Sequence, residues 1–105
     1  MVLKSIILIL FSSSAFCTFS IVAFDPETGE VGSAGASCIA NSIIISELFP
    51  GVGAINTQSY YLSQNQDYAS SLMNQNYDLQ QIINLLELND FQNNPSIRQY
   101  GLVSI

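Results

Sequence analysis

Thr18 is the residue with the clearest capacity for chemistry, because it follows an apolar N-terminal segment that ends in Ala15-Phe16-Cys17. If that segment is cut off after Cys17, Thr18 carries a hydroxyl and a free α-amine on the same residue. The two groups can act as nucleophile and general base without help from another side chain. The junction therefore predicts a catalytic role for Thr18 in a chain that is processed there.

The composition excludes most other ways of activating a nucleophile. The chain contains no histidine, which rules out serine–histidine and cysteine–histidine catalysis and the common zinc sites. It contains no lysine after Lys4, so residues 18–105 can form neither a Schiff base nor a P-loop. The N-terminal amine, with an ordinary pKa of about 7.7–8, is the best base that remains. We therefore expect a site without a metal ion or a cofactor.

Residues 1–17 have the layout of a secretory signal peptide. Lys4 supplies the positive end, residues 6–11 form a short apolar core, and small residues stand at the two positions that matter for cleavage, Ala15 and Cys17. The apolar run is far shorter than the ~20 residues of a membrane-spanning helix. We expect an exported, periplasmic or extracellular protein with no stable membrane span after cleavage. An uncleaved anchor or a buried strand is the less favoured alternative.

The two cysteines bear on the same junction. Removal of the signal peptide takes Cys17 away and leaves Cys38 unpaired in an oxidising compartment, where the role of a small buried apolar residue is favoured for it. In a lipoprotein Cys17 would instead be retained and acylated. Bulky Phe16 disfavours that route, because such processing requires a small residue before the cysteine.

The charge balance excludes nucleic acid as a partner. Residues 18–105 carry Arg98 as their only basic side chain, against all eight acidic residues of the chain. Such a surface cannot neutralise phosphates, and it is not attracted to anionic membranes. A small molecule or a peptide is the expected class of substrate, and association into a homo-oligomer stays open.

A predicted β-hairpin places Thr18 beside candidate partners. Residues 18–24 alternate between two faces, residues 25–30 have the chemistry of a turn, and residues 31–38 return as a strand of small side chains. One face of the first strand carries Phe19, Ile21 and Ala23.

The register of this hairpin decides which residues surround Thr18. If Phe24 pairs with Val31, Thr18 lies opposite Ser37, within an error of one or two residues. Ser37 and Cys38 are therefore predicted to line the site. The acidic turn lies about 23 Å away along the strand and supplies no catalytic partner.

The rest of the chain predicts further strands and two helices. The expected elements are a strand or buried loop at 39–49, a strand at 51–58, a helix at 60–76, a helix that follows the N-cap Asp78, a polar loop at 89–96 and a strand at 97–105. The chain stops on an apolar, strand-forming run. That ending suggests a truncated domain, or one that needs a partner, with a sheet edge or face left uncovered.

Four residues are candidates to hold the oxyanion of a reaction at Thr18. Gly51 and Gly53 could present backbone N–H groups, and Asn41 and Asn56 could present side-chain amides. For the two glycines, spacing alone favours another interpretation, a tight start to the strand at 51–58.

Four stretches also carry a resemblance: Thr18-Phe19-Ser20-Ile21-Val22-Ala23-x-Asp25-Pro26-Glu27-Thr28-Gly29-Glu30-x-Gly32, Ser37-Cys38, Pro50-Gly51-Val52-Gly53-Ala54-x-x-Thr57-Gln58 and Arg98-Gln99-x-Gly101. Through them the chain resembles an uncharacterised bacterial family, the domain of unknown function 1028, which is assigned to the Ntn-hydrolase-like (N-terminal nucleophile) superfamily. The resemblance runs from Thr18 to the end of the chain and covers the N-terminal part of the family's domain. The opening motif with its fixed spacing to the Gly-Val-Gly stretch is specific, whereas any single piece would be weak.

The resemblance implies an α+β fold of the αββα sandwich type, incomplete here, with about four strands and two helices. It also implies an N-terminal nucleophile, and Thr18 stands at the matching position. Better-studied members of the superfamily, such as proteasome β-subunits, cleave amide bonds with an N-terminal residue whose own amine is the base. Proteasome-type sites add a lysine near the nucleophile, and its lack here argues against a protease.

Three interpretations stay open at this point. The first is an exported amidohydrolase with Thr18 as nucleophile. The second is a non-catalytic binding or scaffold domain of the same fold, favoured by the missing lysine and the short length. The third is a truncated fragment that does not fold alone.

Overall fold

The computed structural model describes residues 18–105. The predicted signal peptide and its junction at Cys17 lie outside the described residues. In chain order the elements are strands β1 (Phe19–Phe24) and β2 (Val31–Ala36), a 3₁₀ turn (Ser42–Ile45), strands β3 (Ser46–Phe49) and β4 (Gly53–Gln58), helices α1 (Ser63–Asn74) and α2 (Leu79–Leu88), a second 3₁₀ turn (Pro95–Ile97) and strand β5 (Gln99–Ser104).

Strands β1 and β2 form the predicted antiparallel hairpin. Phe24 pairs with Val31 and Phe19 pairs with Ala36, so the predicted register is confirmed. The turn between the strands contains Gly29 with φ of 75°, a left-handed conformation that glycine adopts without steric cost. Turn chemistry and the alternation of β1 therefore suffice to set this hairpin.

Strands β3, β4 and β5 form a second antiparallel sheet with β4 in the middle. The region predicted as a strand or a buried loop contains β3, which pairs Ser46 with Asn56 and Phe49 with Gly53. Residues 18–105 thus contain five strands rather than the expected four or so. Strand β3 is short, and the three consecutive isoleucines before it, at 43–45, all lie in the 3₁₀ turn.

Both helices pack on one face of this second sheet and enclose the core with β4. The buried apolar side chains that pack together in this core are Ile55, Ala69, Leu72, Met73, Ile82 and Leu86. These residues include most of the apolar stripes that the helical spacing predicts, because positions three and four apart share one face of a helix.

The helix boundaries follow from local chemistry. The sequence predicts that helix α1 begins at Tyr60, but the helix begins at Ser63. The reason is that Ser59 and Tyr60 both have φ of 58° and cannot join a right-handed helix. Asp78 is the N-cap of α2, as predicted, and its carboxylate accepts a 3.0 Å hydrogen bond from the backbone N–H of Gln80. The capping box that includes Asp78 stabilises the helix start by about 1 kcal/mol.

The hairpin lies on the other face of the three-stranded sheet. Ser20 donates to Gln58 at 2.8 Å, and Ser33 donates to Asn56 at 2.8 Å. The outward face of β1 is apolar, and Phe19 is 65% exposed among the described residues, so the predicted uncovered face is confirmed for this part of the chain. The architecture is α+β with helices, sheet and hairpin in three layers, and within residues 18–105 no helix is long and apolar enough to cross a membrane.

Candidate functional site

Thr18 and Ser37 lie side by side at the open end of the hairpin. Their hydroxyl oxygens are 2.8 Å apart, and either hydroxyl can be the donor. Both residues are partly buried. Their closeness agrees with the predicted register, in which Thr18 lies opposite Ser37. Residues 18–105 offer no histidine or lysine, and no acidic residue lines the cleft beside Thr18, so an amine on Thr18 itself is the nearest candidate base.

The end of β4 fixes the backbone at Thr18. The side-chain amide of Gln58 donates to the carbonyl oxygen of Thr18 at 3.2 Å and to Gln99 at 3.0 Å. The amide oxygen of Gln58 accepts a hydrogen bond from Ser20. Three strands thereby converge on the residue before β1, and Thr18 is positioned by both sheets.

A cleft of about 500 Å³ opens directly beside Thr18 and Ser37. This volume lies within the range of sites that take small molecules. Much of the lining is apolar or aromatic, including Ile44, Tyr60 and Tyr61. The arrangement places the Thr18 hydroxyl at the wall of a pocket of suitable size for a small molecule.

One wall of the cleft has an unusual backbone. Ser59 and Tyr60 both line the cleft, and both have φ of 58°. Non-glycine residues in this left-handed region are uncommon and persist only where their surroundings hold them there. Arg98 supplies that restraint, because its guanidinium donates a hydrogen bond to the carbonyl oxygen of Tyr60.

Arg98 is itself held by a buried ion pair. Its Nε lies 3.0 Å from Oδ1 of Asp90, and the side chains of Arg98 and Asp90 are only 4% and 1% exposed. Asp90 also accepts hydrogen bonds from the side chain of Asn65 at 2.6 Å and from the backbone N–H of Asn94 at 2.9 Å. The hydrogen bond from Arg98 holds the pKa of the Asp90 carboxyl well below its usual range, and those from Asn94, Asn65 and Gln92 add to it. The pair therefore stays charged at neutral pH.

Tyr61 presents a neutral phenol to the cleft. Burial raises the pKa of Tyr61, and the nearby carboxylates of Asp67 and Glu47 raise it further. A neutral phenol can donate a hydrogen bond to a bound carbonyl oxygen. Tyr61 is therefore a candidate donor that the sequence alone did not indicate.

The structure brings Ser37 and Asn41 to the cleft, as predicted for lining residues. Cys38 follows Ser37 directly but is exposed with a free thiol, so the buried role favoured for it is wrong. The reason is that β2 ends at Ala36, which leaves Cys38 in the loop beyond the strand.

Asn56 lies beneath the hairpin rather than in the cleft. It is 2% exposed, and its amide oxygen accepts a 2.8 Å hydrogen bond from Ser33. The amide nitrogen of Asn56 has no hydrogen-bond partner among the described residues. Asn56 thus belongs to the polar layer between the sheets, which also includes a 2.9 Å contact between Ser33 and Ser46.

Gly51 and Gly53 lie at the other end of the hairpin from Thr18. The N–H of Gly51 donates to the carbonyl oxygen of Gly29 in the hairpin turn at 3.1 Å. Gly53 is the first residue of β4 and pairs with Phe49 on one side. A role for these two glycines beside Thr18 is therefore wrong, and the alternative of a tight strand start is the one that the structure supports.

A glycine exchange tests this structural role. An ideal Cβ on Gly53 would lie 2.1 Å from the carbonyl oxygen of Val103, whereas nothing lies within 4 Å of a Cβ on Gly101. We expect Gly53→Ala to lower the free energy of unfolding by about 2 kcal/mol, because the backbone of β5 must move. The matched control Gly101→Ala should change it by less than about 0.5 kcal/mol. Chemical denaturation of both variants measures the difference, and equal stabilities would contradict the close approach.

Sequence reasoning missed the Tyr60 wall and its support. Serine and tyrosine give no signal of a left-handed backbone, because glycine and asparagine are the residues that favour it. The ion pair had one available signal: Arg98 is the single base among residues 18–105, and a buried arginine requires an acidic partner. Which of the eight acids pairs with it could be found only from the fold.

The fold is that of an α+β protein, with Thr18 next to the first strand at the wall of a cleft. The chain belongs to a family of unknown function (DUF1028), whose model matches residues 18–105. This match confirms the family resemblance of the sequence. Comparison with curated proteins and with solved structures gave no match.

Proposed function

We propose that the chain is an exported amidohydrolase of the N-terminal nucleophile type, in which cleavage after Cys17 frees the amine of Thr18. The observation that carries the proposal is the position of the Thr18 hydroxyl, which lies 2.8 Å from Ser37 and lines a cleft of about 500 Å³. Removal of residues 1–17 would place the base on the nucleophile itself, where the cleft offers no histidine or lysine.

The reaction proceeds through an ester on Thr18. The hydroxyl oxygen bonds to the carbonyl carbon of an amide while its proton passes to the amine of Thr18. The C–N bond of the substrate then breaks, and the same proton goes to the leaving amine. A water molecule gives up a proton to the Thr18 amine and attacks the ester carbonyl. The bond between that carbon and the Thr18 oxygen then breaks, the acid leaves, and the amine returns the proton to the oxygen, which restores the hydroxyl.

Two neutral groups of the cleft are candidates to hold the oxyanion. Asn41 and Tyr61 both line the cleft, and each can donate a hydrogen bond from its side chain. Donors aimed at the developing charge contribute substantially to acyl-transfer catalysis, at about 3 kcal/mol for one donor. Asn41 is the one member of the predicted oxyanion set that this proposal retains.

The test begins with mass spectrometry of the exported chain, because the proposal requires Thr18 as its first residue. Turnover of an uncharged acyl anilide is then compared between this chain and one that carries a single extra glycine before Thr18. The extension keeps the hydroxyl and the cleft but turns the amine into an amide. We expect turnover to fall by at least about 100-fold, since the general base is lost.

Two outcomes contradict the proposal. One is an exported chain that begins at a residue other than Thr18, and the other is equal turnover by the extended chain. A chain that begins at Thr18 and binds ligands without hydrolysing an amide would be the non-catalytic binding domain instead, which the lack of a lysine after Lys4 favours.

A further inference from the structure

The cleft beside Thr18 is lined entirely by uncharged residues. Its apolar walls include Ile39 and Ile44, which are 45% and 37% exposed, and Tyr60, which is 73% exposed. Its polar groups are hydroxyls and one amide, contributed by Thr18, Ser37, Asn41, Ser59 and the two tyrosines. A ligand that fills this cleft meets apolar surface and neutral hydrogen-bonding groups.

No positive side chain of the described residues is free to bind an anion in the cleft. Arg98 is the only basic residue of that part of the chain. Its guanidinium is occupied by Asp90, by the side chain of Gln92 at 2.7 Å and by the carbonyl oxygen of Tyr60. Because Asp90 is ionised, the pair adds no net charge to the wall of the cleft.

Two carboxylates act on one residue of the cleft lining, Tyr61. The carboxylates of Glu47 and Asp67 are close enough to Tyr61 to act on its phenol. Carboxylates at a protein surface repel an anion that binds near them, and the repulsion is stronger at low salt. The cleft wall at Tyr61 therefore disfavours a carboxylate or a phosphate.

The amine of a processed Thr18 gives a catalytic reason why an anionic substrate is unfavourable. This amine accepts a proton only in its neutral form, and a bound anion beside it would stabilise the protonated form. An anionic substrate would therefore inactivate the base that the reaction needs. The protonated amine would in turn attract an anion, so the binding preference of the cleft walls and the catalytic requirement point to the same class of substrate where the amine is neutral, above its ordinary pKa of about 8.

We propose that the Thr18 cleft, with the amine of Thr18 neutral, selects apolar acyl groups that are uncharged or cationic, and that it binds ligands bearing a carboxylate or a phosphate more weakly. The acyl part of this statement rests on the proposed function. The charge selectivity rests on the lining of the cleft and can be measured without any turnover.

Three isosteric probes test the selectivity: benzamide, benzamidinium and benzoate. Binding to the processed chain is followed by the shifts of isoleucine methyl resonances, with Ile39 and Ile44 as reporters of the cleft and buried Ile82 as the internal control. Measurement at about pH 8.5 keeps the amine of Thr18 mostly neutral. We expect dissociation constants for benzamide and benzamidinium at least about fivefold lower than for benzoate at low salt.

A pair of charge-matched variants locates the source of the selectivity. Asp67→Asn removes one carboxylate near Tyr61, whereas Glu27→Gln removes one in the exposed hairpin turn at the far end of β1. We expect Asp67→Asn to lower the ratio of the dissociation constants of benzoate and benzamide by about twofold, and Glu27→Gln to leave this ratio unchanged.

Benzoate binding as tight as benzamide binding would overturn the proposal, and so would shifts that are absent from Ile39 and Ile44 with all three probes. Failure of the hydrolase proposal would give a different experimental result from failure of the charge selectivity. In that case the order of probe affinities holds while an acyl anilide is not turned over, whereas turnover together with equal binding of benzoate would refute only the charge selectivity.

Discussion

We expect the processed Thr18→Ala variant to lose hydrolysis of an uncharged acyl anilide by at least about 10³-fold in kcat. The substitution removes the only hydroxyl that the proposed reaction uses as nucleophile and keeps the N-terminal amine. Its effect on folding is small, because Thr18 precedes β1 and its carbonyl oxygen, which Gln58 binds, is retained. Initial rates on the chain recovered after export give the measurement.

A graded series separates the chemistry from the packing. Thr18→Ser keeps a hydroxyl and should retain measurable turnover, whereas Thr18→Val matches threonine in shape and should be as inactive as Thr18→Ala. Ser37→Ala removes the 2.8 Å partner of the Thr18 hydroxyl and should lower kcat by about tenfold through poorer orientation. If Thr18→Val kept the activity of the unmodified chain, Thr18 would not be the nucleophile.

The part of the site built by the hairpin could be predicted from the sequence, and the reason is physical. Strand side chains alternate strictly, and a proline–glycine turn fixes where pairing starts, so one correct pair determines all the others. The pairing of Phe24 with Val31 therefore determines that Thr18 lies opposite Ser37. Local rules of this kind also gave the N-cap at Asp78.

The rest of the site depends on contacts between residues distant in sequence. Gly51 and Gly53 looked suitable for an oxyanion, but the packing of β4 against the hairpin turn puts them at the far end from Thr18. Tyr60 lines the cleft, and its backbone carbonyl oxygen is bound by Arg98, which lies far along the chain. No periodicity or turn signal encodes such a contact, since it arises from how β4, α1 and β5 are brought together.

Removal of Arg98 is the second change for which we expect a large effect. Arg98→Met should lower the free energy of unfolding by about 3–5 kcal/mol, because it leaves the buried carboxylate of Asp90 without its cation. Asp90 keeps its hydrogen bonds from Asn65 and Asn94, which limit the loss but cannot neutralise the charge. Urea denaturation at neutral pH gives the measurement.

The double variant Arg98→Met with Asp90→Asn is the matched control. It removes both charges together, so it should be more stable than Arg98→Met alone by at least about 1 kcal/mol. Equal stability of the single and double variants would show that the ion pair contributes only through packing. Arg98→Lys should lie between the unmodified chain and Arg98→Met, because it keeps the charge and loses the fork that reaches both Asp90 and Tyr60.

The same pair should control the acid sensitivity of the fold. The pKa of Asp90 is lowered in the folded chain, mainly by the hydrogen bond from Arg98, so this group contributes stability above the unfolded-state pKa of about 3.9 and loses it as the pH falls toward the lower folded-state value. We therefore expect the unfolding free energy of the unmodified chain to drop steeply below about pH 4, and that of Asp90→Asn to be lower at neutral pH but flatter over the same acid range. If the unfolding free energies of the unmodified chain and of Asp90→Asn fell in parallel with pH, Asp90 would not be the source of the acid sensitivity.

Because Arg98 also holds Tyr60 in its left-handed conformation, loss of the ion pair should release one wall of the cleft. If Arg98→Lys changed the dissociation constant of benzamide by fivefold or less at unchanged pH, the ion pair would have a role in stability alone.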